Sequence, residues 1–172
     1  GPPCQAYSIA GRSRRTRESQ EKFESDEKHF LYREYLRIIR KHKPAVFVME
    51  NVKGMLSSQH SGSPIFDRIV ADLTTPGDGL EYQIRSLVKP GIAGDIDPHD
   101  FVVEAERFGV PQGRHRVILF GIRSDVALSV PELSSSPEEF VLAIESLMVT
   151  VGEALSGLPP LRSKLSKEPD GH

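Results

Sequence analysis

Apolar residues first recur at helical spacing at Leu31, Tyr35, Ile38 and Ile39, with charges between them, which predicts an amphipathic helix over 26–42. Ser25 or Asp26 can cap its start, the basic residues 41–43 suit the negative end of its dipole, and Pro44 ends it. The period then changes. Residues 45–51, AVFVMEN, form a short continuous apolar run that ends in a carboxylate and an amide. Such a run predicts a strand covered on both faces, as in a parallel sheet layered with helices, with its polar end where open α/β sheets place their sites. Ser63-Pro64 opens a second predicted helix running to Leu73, with Ile65, Phe66, Ile69, Val70 and Leu73 as its apolar face. Pro76-Gly77-Asp78-Gly79 reads as a turn and 80–88 as a strand. A short helix to Arg107 is predicted behind Asp97-Pro98, a break at 108–111, and a second buried strand, RVILFGIR, over 116–123. Helices are predicted over 137–148 and 151–158, and the last dozen residues read as a linker. The order helix, strand, helix, strand, helix, strand predicts an α/β fold.

Composition narrows the class. A chain of 172 residues with 38% hydrophobic and 27% charged residues is an ordinary globular mixture, long enough for one core. It has no apolar run of about 18 residues and no secretory pattern at its start. The single cysteine excludes an internal disulfide framework and fits a reducing compartment. The net charge of -2 excludes a uniformly basic nucleic-acid binder. Locally the balance differs: Arg12, Arg14, Arg15 and Arg17 lie in the first 17 residues with no acid, an arrangement suited to phosphates. The chain starts without Met on residues that are already motif-like, and reads as part of something longer.

The candidate chemistry falls in three places. Cys4 follows Pro2-Pro3, which restrict the backbone ahead of the thiol. Arginines folding over it would raise its thiolate fraction; the plain alternative is a small buried hydrophobe. Glu50 ends the buried-type strand, as a surface-pair carboxylate or as an acid that donates a proton in a cleft, and Asn51 can orient the backbone beside it. Gln112, Arg114 and Arg116 alternate into the later strand and are expected to share one face. A guanidinium there can grip a carbonyl, carboxylate or phosphate in fixed geometry, or form a surface salt bridge. The six histidines show no metal-ligand spacing.

Together these motifs resemble the cytosine-5 DNA methyltransferases. GPPCQAYSIAG is similar to the family's nucleophile motif, MENVKGM to its Glu-Asn-Val motif, FGVPQGRHRVILFGIR to its Gln-x-Arg-x-Arg motif, and VGEALSGLPPL to the segment leading toward target recognition. The resemblance implies part of a Rossmann-like methyltransferase sheet with helices on both faces. It also implies a reaction in which cytosine is flipped out of double-stranded DNA. Cys4 adds to ring carbon 6, Glu50 protonates or hydrogen-bonds ring nitrogen 3, and carbon 5 takes a methyl group from S-adenosylmethionine. By the same resemblance Arg114 holds the cytosine carbonyl oxygen and Arg116 positions Glu50 or the Cys4 region. Gln5, Ser8 and the arginines from Arg12 to Arg17, Arg14 among them, belong to a loop that closes on DNA, and Gln112 supports the active-site wall.

The family's glycine-rich cofactor loop and its recognition domain have no counterpart in the sequence. The expectation is therefore a catalytic portion over 1–150 and a linker over 151–172, lacking most of the S-adenosylmethionine pocket and inactive alone. A complementary polypeptide could supply the cofactor motifs. A bacterial cytoplasmic, nucleoid-associated location and a restriction-modification setting also follow from the resemblance. The alternatives are methylation of transfer RNA by the same chemistry, a non-catalytic nucleic-acid-binding module, and a cysteine hydrolase, which would need a histidine such as His29 or His115 beside Cys4.

Overall fold

The computed structural model describes residues 31–60, 62–130, 141–143 and 148–159. Helix α1 (Leu31–His42) leads into strand β1 (Val46–Val52) and a 3-10 turn at Lys53–Met55. Two short strands, β2 (Gln59–His60) and β3 (Ser63–Pro64), pair with each other ahead of helix α2 (Ile65–Thr74). Strand β4 (Tyr82–Arg85), a 3-10 turn (Pro98–Phe101), strand β5 (Val102–Glu104) and a second 3-10 turn (Ala105–Phe108) follow. The long strand β6 (His115–Arg123), helix α3 (Ser124–Ser129) and a short helix α4 (Val151–Leu155) complete the order. No helix among the described residues is long and apolar enough to cross a membrane.

β6 is the spine of the main sheet: β1, β4 and β5 all pair with it. The α/β layering expected from the sequence is present. The expected parallel pairing is not: β1, β4 and β5 each run antiparallel to β6. Burial explains why the run 45–51 misled. Phe47, Met49 and Asn51 are buried, but Val46 and Val48 are 50% and 51% exposed, so β1 is a one-faced strand with apolar residues on both sides. An apolar run carries no direct information about the direction of its partner.

The core lies on one face of the sheet. Phe47 and Met49 of β1, Val117 and Leu119 of β6 and Tyr82 and Ile84 of β4 pack with α1 and α2. α1 turns Tyr32, Leu36 and Ile39 inward, spaced four and three apart, while Ile38 is 49% exposed. The helix thus presents a face rotated from the predicted one. α2 buries Ile65, Phe66, Ile69 and Leu73, as its pattern predicts. Pro64 sits one residue ahead of that helix with ψ 129, as cap rather than first turn.

The segment predicted as one helix to Arg107 is two 3-10 turns around a strand. Asp97 and Asp100 form a reciprocal capping box that closes the first turn. The β-branched pair Val102-Val103 then joins β6, where Val102 lies opposite Val117. Gly109, at φ 77, ends the second turn in the left-handed conformation that glycine adopts without strain. Most of the helix predicted over 137–148 lies outside the described residues. Its described part, 141–143 and 148, is not helical, and Leu142 N–H donates instead to the Leu87 carbonyl at 2.8 Å. The predicted cap at Ser25 or Asp26 and the terminal linker from 160 onward also lie outside the described residues.

Phe47 of β1 and Gly121 of β6 are cross-strand partners. A Cβ on Gly121 would lie 2.2 Å from the Phe47 ring, so only glycine lets the ring lie flat there. The ring also packs edge-on with Tyr82 (centroids 5.1 Å apart) and Tyr35 (6.0 Å). Gly121→Ala is expected to destabilise the fold by about 1–3 kcal/mol, read as a lower urea midpoint at unchanged slope. Combining it with Phe47→Leu should recover part of that loss; an unshifted midpoint in Gly121→Ala would show that this contact does not hold the sheet.

Candidate active site

The pleat of β1 puts Glu50 on the sheet face opposite the core. Glu50 lies opposite Ile118, and Val52 opposite Arg116, so Glu50 and Arg116 are diagonal neighbours on one face. Arg116 Nε is 2.8 Å from Glu50 Oε1, and an Nη of Arg114 is 3.8 Å from the same oxygen. The side chains of Arg116, Glu50 and Arg114 are 25%, 44% and 50% exposed. One carboxylate oxygen therefore sits under two guanidinium groups at the open edge of the sheet. Pairs this exposed contribute about 0–1 kcal/mol to folding, so fold stability gives little reason for two arginines on one oxygen.

Asn51, the next residue, points the other way and is 2% exposed. Its Oδ1 accepts the Val52 N–H at 2.9 Å, bracing the backbone just beyond Glu50. The 3-10 turn that follows is anchored by buried Met55, and Ser58 Oγ donates to the Gly54 carbonyl at 2.7 Å. The strand end that carries Glu50 is thus fixed from below.

Gln112 precedes both arginines, outside the regular strand. Regular pairing of β6 begins at His115, and Gln112 lies exposed in the preceding turn, where its backbone N–H donates to the Val110 carbonyl at 2.7 Å. Cys4, Gln5, Ser8, Arg12 and Arg14 lie outside the described residues.

A contact that the sequence did not signal lies behind the arginines. His115 Nε2 is 2.6 Å from Glu106 Oε1, joining the two ends of the connection between β5 and β6. The Glu106 carboxyl is held below the ordinary glutamate range, first by its own backbone N–H and then by the His115 ring; the Arg114 backbone N–H also favours its charged form. Its second oxygen, Oε2, is buried with no hydrogen-bond partner in range.

A cleft of about 350 Å³ opens between α1 and α2, lined by Tyr32, Arg33, Arg40, Arg68 and Asp72 among others. The two helices cover the core face of the sheet, so this cleft is on the other side from Glu50. Three guanidinium groups in its wall oppose a sulfonium cation, so it does not fit a sulfonium methyl donor.

An α/β sheet that brings a carboxylate near the end of β1 together with two arginines at the start of β6 fits an enzyme that handles a polar planar ring. Comparison with known proteins specifies the class. The family model described as C-5 cytosine-specific DNA methylase matches residues 1–167, and the chain belongs to that family. The chain is 32% identical over 164 residues to the type II methyltransferase M.Bpa9945I of Bacillus paralicheniformis, covering 95% of this chain and 32% of that protein. It is 32% identical over 168 residues to the type II methyltransferase M.AquIA of Picosynechococcus, covering 93% of this chain and 59% of that protein. The crystal structure of a protein assigned as a DNA modification methyltransferase encoded within an E. coli prophage superposes with a TM-score of 0.54 at 25% identity. That match covers 94% of this chain and 34% of the other. The chain therefore spans between about a third and three-fifths of the length of these relatives.

Two outcomes follow from this geometry. Asn51→Leu, close in volume but unable to accept the Val52 N–H, is expected to cost about 1–3 kcal/mol in urea unfolding. The Glu106 contact should depend on pH in a defined direction. Its folded pKa is depressed from 4.5, so its stabilisation is complete above that value and is lost as pH falls through the depressed one. The melting temperature of Glu106→Gln should lie below that of the parent near neutrality and converge with it in acid.

Proposed function

We propose that this chain supplies the nucleophile and the base-gripping groups of an enzyme that methylates carbon 5 of cytosine in DNA. The observation that carries the reading is the engagement of Glu50 Oε1 by both Arg114 and Arg116 at the end of β1, in a chain of the cytosine-specific methylase family. A base stacked in a duplex is out of reach of such a site, so the cytosine enters flipped out of the helix.

Each residue then has a defined task. The Cys4 thiolate donates an electron pair to ring carbon 6, and the electrons of the 5,6 double bond move toward carbon 5 and the ring amidine. Glu50 delivers a hydrogen bond or proton to ring nitrogen 3, so charge does not accumulate on the ring. Both arginines contact Oε1, which leaves Oε2 to address that nitrogen. Arg116, the less exposed of the pair, holds Glu50; Arg114, half exposed, keeps donors for the cytosine carbonyl oxygen. After methylation a water molecule takes the carbon 5 proton, the electron pair it leaves re-forms the 5,6 double bond as the carbon–sulfur bond breaks, and the proton on nitrogen 3 returns to Glu50, so aromaticity and the Cys4 thiolate are restored together. One difficult substitution is thereby divided into addition, transfer and elimination.

S-adenosylmethionine is the methyl source that family membership implies, and its pocket is supplied by residues other than those described or by a complementary polypeptide. Gln5, Ser8, Arg12 and Arg14 serve the DNA-closing loop, Gln112 the wall beside the arginines, and 151–172 the path toward target recognition. The family's description favours DNA over transfer RNA as the nucleic acid.

Trapping tests the reading. In the complete enzyme with its methyl donor, duplex DNA carrying 5-fluorocytosine at the target should form a covalent adduct, because fluorine cannot leave as a cation in the elimination. Cys4→Ser should abolish the adduct, and Glu50→Gln or Arg114→Ala should slow its formation by about 100-fold or more. DNA binding with no adduct, in parent and Cys4→Ser alike, would make the protein a nucleic-acid-binding module instead.

A further inference from the structure

We infer that His115 and Glu106 are positioning residues for the arginine that grips Glu50. The inference rests on the methyltransferase reading for its functional meaning and on independent geometry for its structure.

Arg116 reaches Glu50 by a short chain of contacts. Its Nε lies 2.8 Å from Glu50 Oε1, and its Nη1 donates to the carbonyl oxygen of His115 at 2.7 Å. The guanidinium is therefore held at two points, and one of them is the peptide between 115 and 116. The plane of that peptide sets where the guanidinium lies. Successive side chains of a strand point to opposite faces, so His115 leaves β6 on the side away from Glu50. There its ring meets Glu106 at 2.6 Å.

Glu106 sits at the start of the 105–114 connection and His115 directly after its end. The backbone is tied at nearly the same place: Ala105 N–H donates to the Arg114 carbonyl at 3.0 Å. Glu104 lies opposite His115 in the last rung of the β5–β6 ladder, and Glu106, two residues further on, ties to that same rung through the His115 ring. It stops the end of β6 from fraying at the residues that carry the two guanidinium groups.

Burial argues against an incidental surface pair. The Glu106 side chain is 23% exposed and its Oε2 is buried without a partner in range. Leaving a carboxylate oxygen so placed is costly. A fold seeking only to close this loop has cheaper options, since Val110 N–H already bonds the Ala105 carbonyl. The arrangement orients the 115–116 peptide, and through it Arg116.

The test uses this chain and reads Arg116 directly. The Nε–H proton of Arg116 should exchange slowly with solvent because it is held on Glu50. In His115→Ala and in Glu106→Ala its exchange should accelerate about tenfold, the loss of a charge-assisted restraint. His115→Gln, whose amide can still donate to Glu106, should remain near the parent. The backbone amide of Leu119, deeper in β6, should keep its exchange rate within about twofold in all three variants. In the complete enzyme, His115→Ala should lower kcat about tenfold with little change in KM for DNA, and His115→Gln should restore it. An unaltered Arg116 Nε–H rate would overturn the inference, as would equal acceleration of the Leu119 amide, which would mark a pair that merely holds the sheet. If 5-fluorocytosine traps no enzyme at all, the methyltransferase reading fails by itself, and the exchange result still decides whether the pair positions Arg116.

Discussion

The register between β1 and β6 determines everything that the sheet presents. Side chains alternate with a period of two, so a slip of one residue would turn Glu50 into the core and bring Met49 out beside the arginines. The fit of the Phe47 ring over the bare backbone of Gly121 prevents that slip. Any other pairing would put the ring against a side chain. The alignment is secured at the far end too. Arg123 N–H donates to the Ala45 carbonyl at 2.9 Å, and the Tyr82 hydroxyl donates to the Pro44 carbonyl at 2.8 Å. The Arg123 guanidinium also donates to the Lys43 carbonyl. The exit of α1 is thereby fastened to β4 and β6, and β1 starts from a fixed point.

This arrangement divides labour between the faces of one sheet. Residues at 47, 49, 117, 119 and 121 bind the sheet to its helices, and those at 50 and 116 form an ion pair on the opposite face. Because the two sets alternate along the same strands, the packing that stabilises the fold also sets the distance between Glu50 and Arg116. The ion pairs are too exposed to hold the backbone in place themselves. Their geometry is a consequence of the core, which is what a preorganised site requires.

Much of this was legible in the sequence, for reasons that can be named. The apolar faces of α2 and the runs of β1 and β6 are strong periodic signals, and both strands appear within a residue or two of their expected limits. The ordered motifs around Cys4, Glu50 and Arg114 pointed to the family that the comparison establishes. What the pattern could not carry was partner direction. A run such as AVFVMEN fits a parallel or an antiparallel neighbour equally, and the antiparallel outcome depends on a strand some seventy residues later. The rotation of α1 was missed because Tyr32 and Leu36 compete with Ile38 for the same stripe, and only packing in the core decides. The 3-10 turns around Val102-Val103 depend on that pair joining β6, again a distant event. The pairing of His115 with Glu106 was not foreseen because the two lie nine residues apart across an irregular connection, where no spacing rule applies.

The two arginines differ in a way that follows from where the strand begins. Arg116 lies within regular pairing, opposite Val52, with its guanidinium shared between Glu50 and its own backbone. Arg114 lies just before the strand, half exposed and 3.8 Å from the carboxylate, beyond ordinary hydrogen-bond length. A group bound at two points has little freedom left to spend on a substrate, whereas one held loosely near its target can turn to a new acceptor at small cost. The boundary between turn and strand therefore separates a holding arginine from a reaching one. In the proposed reaction a single Arg-x-Arg spacing would serve both tasks, because one residue of it is inside the sheet and the other is not.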